Sequence, residues 1–188
     1  MDEAITEVSI CNSALIKLGA EQIQSLSDDT KNARLCAARY AMIRNKVLED
    51  HPWAFATKTV SLTSLAGVTP RDWTYAFAYP ADFLKMIMST DWDSEYDTID
   101  NQLVADDPEI VIKYIYKNTN PATYTYAFAE CLSWRIAADL AYAITNSKEV
   151  AGLMIQGYQA DLSAARYNDA HKKSPEGPYA DTWIDARF

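Results

Sequence analysis

Apolar positions recur along this chain first at a helical spacing, then in alternation, then at a helical spacing again. Behind Thr6, a residue type that caps helix starts, Val8, Cys11, Leu15 and Leu18 follow one another at about the helical period, and Gly19 supplies a stop. A second, longer helix is predicted over about 31–50, with Ala33, Ala37, Tyr40, Val47 and Leu48 as core candidates. His51-Pro52 ends it, because the residue before proline is pushed out of the α region. From Thr57 to Tyr116 the period becomes two: Val60 and Leu62 alternate with Ser and Thr, and Trp73, Tyr75, Phe77 and Tyr79 place four rings on one strand face. Short strands are predicted over 85–88, 96–99 and 102–104, with Asp100-Asn101 as the hairpin turn between the last two. The β-branched and aromatic run 109–116 reads as a well-buried strand. After Lys117-Asn118-Thr119-Asn120-Pro121, a third helix is predicted over about 124–145, with Phe128, Cys131, Leu132, Ile136, Leu140 and Ile144 inward. Asn146-Ser147 separates it from a fourth over about 148–170, which presents Val150, Met154, Gly157, Asp161 or Leu162, and Ala165.

The predicted fold class is therefore α+β: a four-helix bundle of two N-terminal and two C-terminal helices, with an inserted antiparallel β module and an extended C-terminal tail. Residues 1–56 form the first half of the bundle, 57–121 the β module, 122–170 the second half, and 171–188 the tail. In the tail, Ser174-Pro175-Glu176-Gly177-Pro178 cannot continue a helix, and Tyr179, Trp183, Ile184 and Phe188 supply apolar anchors. Two readings of that segment stay open from the residues alone: a docking element for a partner, or a terminus packed back on its own domain.

Composition narrows the class. With 49% hydrophobic and 23% charged residues the chain reads as an ordinary globular protein that can bury a core. It has no run of roughly 18 apolar residues of the kind a membrane span needs, and its start, Met1-Asp2-Glu3, is acidic where a secretory signal would be basic. The expectation is a protein that remains in the compartment where it is made and does not engage a membrane. Cys11, Cys36 and Cys131 sit at helical spacing among apolar residues, as small buried thiols do. The net charge of -9 argues against binding nucleic acid by counterion release. Nearly all of the excess is local: Asp91, Asp93, Glu95, Asp97, Asp100, Asp106, Asp107 and Glu109 follow one another without an intervening Lys or Arg.

Candidate chemistry is sparse, and no catalytic residue, cofactor or metal is expected. Only His51 and His171 could serve as imidazole bases, one at a helix end and one at the start of the tail. Neither a Gly-x-Ser-x-Gly elbow nor a phosphate-binding Gly-Lys-Ser/Thr loop occurs. The alternation of Asp91, Asp93, Glu95 and Asp97 fails as a calcium loop, since Tyr96 stands where glycine is needed and Gln102 where the bidentate glutamate is needed. A solvated acidic surface is the better reading. Three thiols and two distant histidines lack zinc-ligand spacing. Glu130, beside Cys131 and Trp134 on the Ala-rich third helix, is the acid to watch for glycan hydrolysis, with a helix-surface salt bridge the simpler expectation. The ring stripe from Trp73 to Tyr79 could stack sugars or bases, but such a stripe more often packs a core or a subunit interface.

Several motifs in fixed order resemble those of the tail tubular protein A family, the head-to-tail adaptors of short-tailed bacteriophages. They are Asn12, Leu15, Leu18 and Gly19; Ser25-Leu26-Ser27-Asp28 with Ala33 and Ala37; Pro52-Trp53-Ala54-Phe55-Ala56; Trp73-Thr74-Tyr75-Ala76; Tyr79-Pro80-Ala81-Asp82-Phe83-Leu84; and Asp181-Thr182-Trp183-Ile184-Asp185-Ala186-Arg187. The resemblance spans nearly the whole chain except the acidic stretch 91–109. It implies a non-enzymatic virion protein, made in the host cytoplasm, that forms a ring of twelve copies between the portal protein and the sixfold tail nozzle protein. Genome DNA would pass through that ring without specific binding. A ring needs a heterologous interface, in which one patch meets a different patch of the next subunit. On this reading Trp183, Ile184, Asp185, Arg187 and Phe188 dock the tail on a partner, and Asp91, Asp93, Glu95, Asp97, Asp106 and Asp107 form an acidic surface facing the channel or the nozzle. Two alternatives are an adaptor with an added cell-wall or glycan hydrolase activity, and the head-completion connector of a long-tailed phage, in which the β insertion would be much reduced.

Overall fold

A computed structural model describes residues 4–68, 70–89 and 95–172 of the 188-residue chain. The first helix, α1 (Glu7–Lys17), starts at a reciprocal cap: the Thr6 hydroxyl accepts from Ser9 N at 3.0 Å, and Ser9 Oγ accepts from Thr6 N at 2.9 Å. It stops at Gly19, whose φ of +65° lets Ala20 N reach back to Leu15 O at 2.9 Å. Asn12 then clamps the following loop like a strand partner, donating to Ile23 O at 2.9 Å and accepting from Ile23 N at 2.8 Å. Asp28 closes the same loop by accepting from Gln24 N and Ser25 N. The second helix, α2 (Lys31–Asp50), starts at Thr30 and ends before Pro52.

Past α2 the chain turns on Trp53, which is almost fully buried. Its indole donates to Val47 O at 3.0 Å, and its ring meets Phe128 edge-on at 5.1 Å. Phe55, Tyr124 and Phe128 complete this ring cluster, which ties the end of α2 to the third helix, α3 (Tyr126–Thr145). Edge-on rings of this kind contribute roughly 0.5–1.5 kcal/mol per pair beyond their burial. Asn146 adopts the left-handed conformation (φ +54°, ψ 20°) that ends α3, and the fourth helix, α4 (Lys148–Lys172), returns along it.

The architecture between the helices overturns the expected four-helix bundle with a single inserted β module. Among the described residues, six strands form two three-stranded antiparallel sheets. One has the order β1 (Thr57–Thr63), β6 (Glu109–Tyr116), β3 (Phe83–Ser89); the other has β2 (Tyr75–Ala78), β5 (Gln102–Ala105), β4 (Tyr96–Ile99). Nor is the helical part a regular bundle: α1, α2 and α4 each pack on α3, which acts as the central rod. The α+β content and the order of helices and strands match the expectation; the way they assemble does not. Strand β6 shows the physical reason. Its Ile110, Ile112 and Tyr114 join Leu62, Phe77, Leu103 and Ala105 in a core between the two sheets. On the next position Ile115, with Leu84, Ile87 and Tyr116 around it, belongs to the helical core built on α1–α4. Buried on one face along its length and on the other at Ile115, the strand welds the sheet to the helices, and period two does not say against what each face packs.

The ring stripe is also shorter than the pattern predicted. Strand β2 holds only Tyr75 and Phe77 of the four rings, Phe77 is fully buried, and Tyr79 stacks on Phe83 at 4.1 Å.

Candidate functional site

Helix α1 runs beside the first half of α3, and the two leave a cleft of about 390 Å³ between them. Ile5, Ile10 and Ala129 supply its apolar walls, Tyr126 stands at its rim, and Ser13 and Glu130 mark its polar end. Tyr126 is 71% exposed, which is unusual for a ring in the first turn of a helix so deeply packed farther on.

At the polar end Lys17 reaches across from α1. Its ammonium lies 2.9 Å from Glu130 Oε1, 2.9 Å from Ser13 Oγ and 2.9 Å from Ser133 Oγ, and 4.9 Å over the Trp134 ring. Three donors with three oxygen partners leave the ammonium well satisfied although its side chain is only 14% exposed. Asp161 approaches from α4. Burial, and after it the charge of Glu130, hold its carboxyl above the ordinary aspartate value, while Lys17 and the Trp134 indole oppose that shift. The cluster carries two carboxylates against one ammonium. Glu130 is the member that also lines the cleft, and it is paired with Lys17. The residue watched for acid catalysis is thus found in an ion pair at the polar end of a cleft. Lys17, the residue that organises the site, was not singled out from the sequence. Its signal was a lone basic residue on a short, otherwise apolar helix face, one turn beyond Ser13.

The other candidates do not converge. His51 is buried at the end of α2, with its ring edge-on to Trp53 at 4.9 Å, and His171 lies in the last turn of α4. Cys11, Cys36 and Cys131 are buried free thiols; burial pushes Cys131 up to about 12, and contact with Cys36 followed by burial raises Cys11. No group of three or more His, Cys, Asp or Glu gathers as a metal site among the described residues. No described helix is long and apolar enough to cross a membrane.

Of the acidic surface, Asp91 and Asp93 lie outside the described residues, while Asp97 in β4 and Glu95, Asp106 and Asp107 flanking β4 and β5 are all exposed. Several acids of the stretch have local structural partners. Asp106 accepts from Thr74 N at 3.0 Å and from Thr74 Oγ1 at 2.8 Å, and Glu109 accepts from Ser61 Oγ across the β1–β6 pair. Asp97 accepts from Thr98 N. Strand β4 is an edge strand of its sheet and is exposed along its whole length. Trp183, Ile184, Asp185, Arg187 and Phe188, the predicted docking residues, lie outside the described residues.

No known family model matches this chain. No curated protein matches it either.

Proposed function

We propose that this chain is a structural head-to-tail adaptor of a short-tailed bacteriophage, forming a ring between portal protein and tail nozzle protein through which genome DNA passes. The observation that supports this reading is the distribution of exposed apolar side chains. Ile16 on α1, Met42 on α2, Tyr126 and Tyr142 on α3 and Leu153 on α4 each leave a large apolar group more than half exposed. Single exposed apolar groups occur on monomers too, but their spread over all four described helices is compatible with a ring subunit, which needs at least two unlike patches for its neighbours and more for the proteins above and below. The order of motifs from Asn12 to Asp82 supports the same reading, and their side chains hold the fold: Asn12 and Asp28 clamp loops, Trp53 fixes the turn after α2, and Asp82 ties β1 and β6 to the start of β3.

The test is electron microscopy of the purified protein mixed with the portal of the same phage. Twelve-copy rings seated on the portal are the expected result. A chain that stays off the portal at every protein and salt concentration tried would sink the proposal. The same preparation separates the hydrolase alternative: loss of turbidity of isolated cell wall, abolished by Glu130→Gln, would move the function to that reading.

A further inference from the structure

The small sheet leaves one strand edge open. Strand β4 pairs with β5, and its other side meets no strand among the described residues. The opposite edge of the sheet is covered in part, since Leu65 N donates to Ala76 O of β2 at 2.8 Å. The hairpin register says which backbone groups of β4 point outward. A two-residue turn at Asp100-Asn101 makes Ile99 and Gln102 a hydrogen-bonded pair, and by alternation Asp97 and Val104 are the next. The backbone groups of Tyr96 and Thr98 therefore face out. The Thr98 amide agrees, for it donates to Asp97 Oδ1 at 2.7 Å.

What such an edge accepts is set by its side chains. Asp97 and Ile99 share one face of β4, Tyr96 and Thr98 the other, and both Tyr96 and Ile99 are large apolar groups left exposed. Glu95 precedes the strand and Asp100 follows it, both exposed, and no Lys or Arg lies in the chain from 91 to 109. In an added antiparallel strand the residue opposite Asp97 stands in a non-hydrogen-bonded pair, where Cα atoms approach to about 4.5 Å. A cation is favoured at that place and an anion is not. A second copy's β4 is therefore a poor occupant, since it brings the same acids. Asp97 also guards the edge in the free chain, because its carboxylate holds the Thr98 amide that an incoming carbonyl needs.

We propose that the outer edge of β4 accepts an added strand from a partner protein, an extended segment in which basic and apolar residues alternate, with a Lys or Arg opposite Asp97 and an apolar side chain beside Tyr96. The partner's carbonyl takes over the Thr98 amide, and the freed Asp97 carboxylate pairs with the cation. The backbone edge supplies affinity, and the acids select the sequence that uses it. This goes beyond the adaptor reading and does not rest on it.

The experiment titrates a short, fluorescently labelled peptide of alternating Lys and Val with the full-length protein, read by anisotropy and by amide hydrogen exchange. Saturable binding at low salt is expected, with slowed exchange at Thr98. It should weaken about fivefold in Asp97→Ser, which loses one cross-strand charge pair. A peptide of alternating Glu and Val should not bind. With Lys opposite Asp97, the Val nitrogens of the peptide face β4 and the Lys nitrogens face away. Methylating the Val nitrogens should therefore abolish binding, and methylating the Lys nitrogens should not, although the charge is the same in both. Equal binding of the two methylated peptides would reduce the site to an acidic patch and overturn the proposal. So would no binding of the unmodified peptide at low salt, or protection that maps to another edge such as β1. Rings on the portal without peptide binding would sink the strand addition and leave the adaptor reading intact. Peptide binding by a chain that ignores the portal would do the reverse.

Discussion

Gly157 of α4 lies so close to the indole of Trp134 on α3 that a Cβ added there would sit 2.6 Å from Cε3 of the ring. The two helices can approach this closely only because one of them has no side chain at the contact. Helix propensity alone would favour Gly157→Ala by up to about 1 kcal/mol. The clash reverses that sign, because the Trp134 ring is itself packed under Lys17 and beside Asp161. Gly157→Ala is expected to lower stability by about 1–3 kcal/mol in a denaturant titration; a stabilised variant would show that the ring moves aside freely.

Tyr40 presents the opposite case. Its hydroxyl is buried and makes no well-formed hydrogen bond among the described residues, while the neighbouring Tyr124 hydroxyl, on which it acts, donates to Asn118 O at 2.9 Å. A buried unsatisfied hydroxyl costs about 1–3 kcal/mol, so Tyr40→Phe should leave the melting temperature unchanged or raise it. A loss of more than about 1 kcal/mol would reveal a partner for that hydroxyl.

Asp82 predicts a specific acid limb of the stability curve. It accepts from Lys58 Nζ at 2.6 Å and from Tyr114 Oη at 3.0 Å, and the Lys58 contact foremost holds its carboxyl below the ordinary value. A carboxyl depressed on folding binds its proton more weakly in the native state, so its contribution is fully present above the unfolded value near 3.8. That contribution disappears as the pH falls through the lower folded value. Asp82→Asn should therefore melt lower than the parent at neutral pH, by the equivalent of about 1 kcal/mol or less given its solvent contact. The two melting curves should converge below the ordinary aspartate range. A difference that stays constant from pH 7 to pH 2 would mean that shape, not charge, matters at this position.

For the acidic sheet, the expectation concerns binding. Glu95, Asp97, Asp106 and Asp107 are exposed and belong to a chain of net charge -9, so phosphate should be repelled. Double-stranded DNA is expected to bind the assembled protein weakly or not at all at moderate salt. Sub-micromolar binding in fluorescence anisotropy at physiological salt would exclude these acids as a channel lining.

What the chain determines by itself is local. Thr6, Gly19, His51-Pro52 and Asn146 set helix ends because capping and backbone preference act within a few residues, and α1, the end of α2 and the break between α3 and α4 lie within a residue or two of where those signals put them. The same holds for the hairpin at Asp100-Asn101, where both residues have positive φ, 51° and 60°, as a tight two-residue turn demands. The start of α3 was missed by two residues, because Tyr124 reads as the first apolar position of a helix but is drawn into the Trp53 ring cluster just ahead of it. Strand partners were out of reach for a different reason. Alternation states that one face of a strand is buried, not against what, and only the packed molecule pairs β5 with β2 and leaves β6 between β1 and β3. The candidate site belongs wholly to that second category. Lys17, Glu130 and Asp161 come from three helices, up to 144 positions apart in the chain, and their encounter depends on how closely those helices pack, which between α3 and α4 is set at Gly157 by the side chain that is absent.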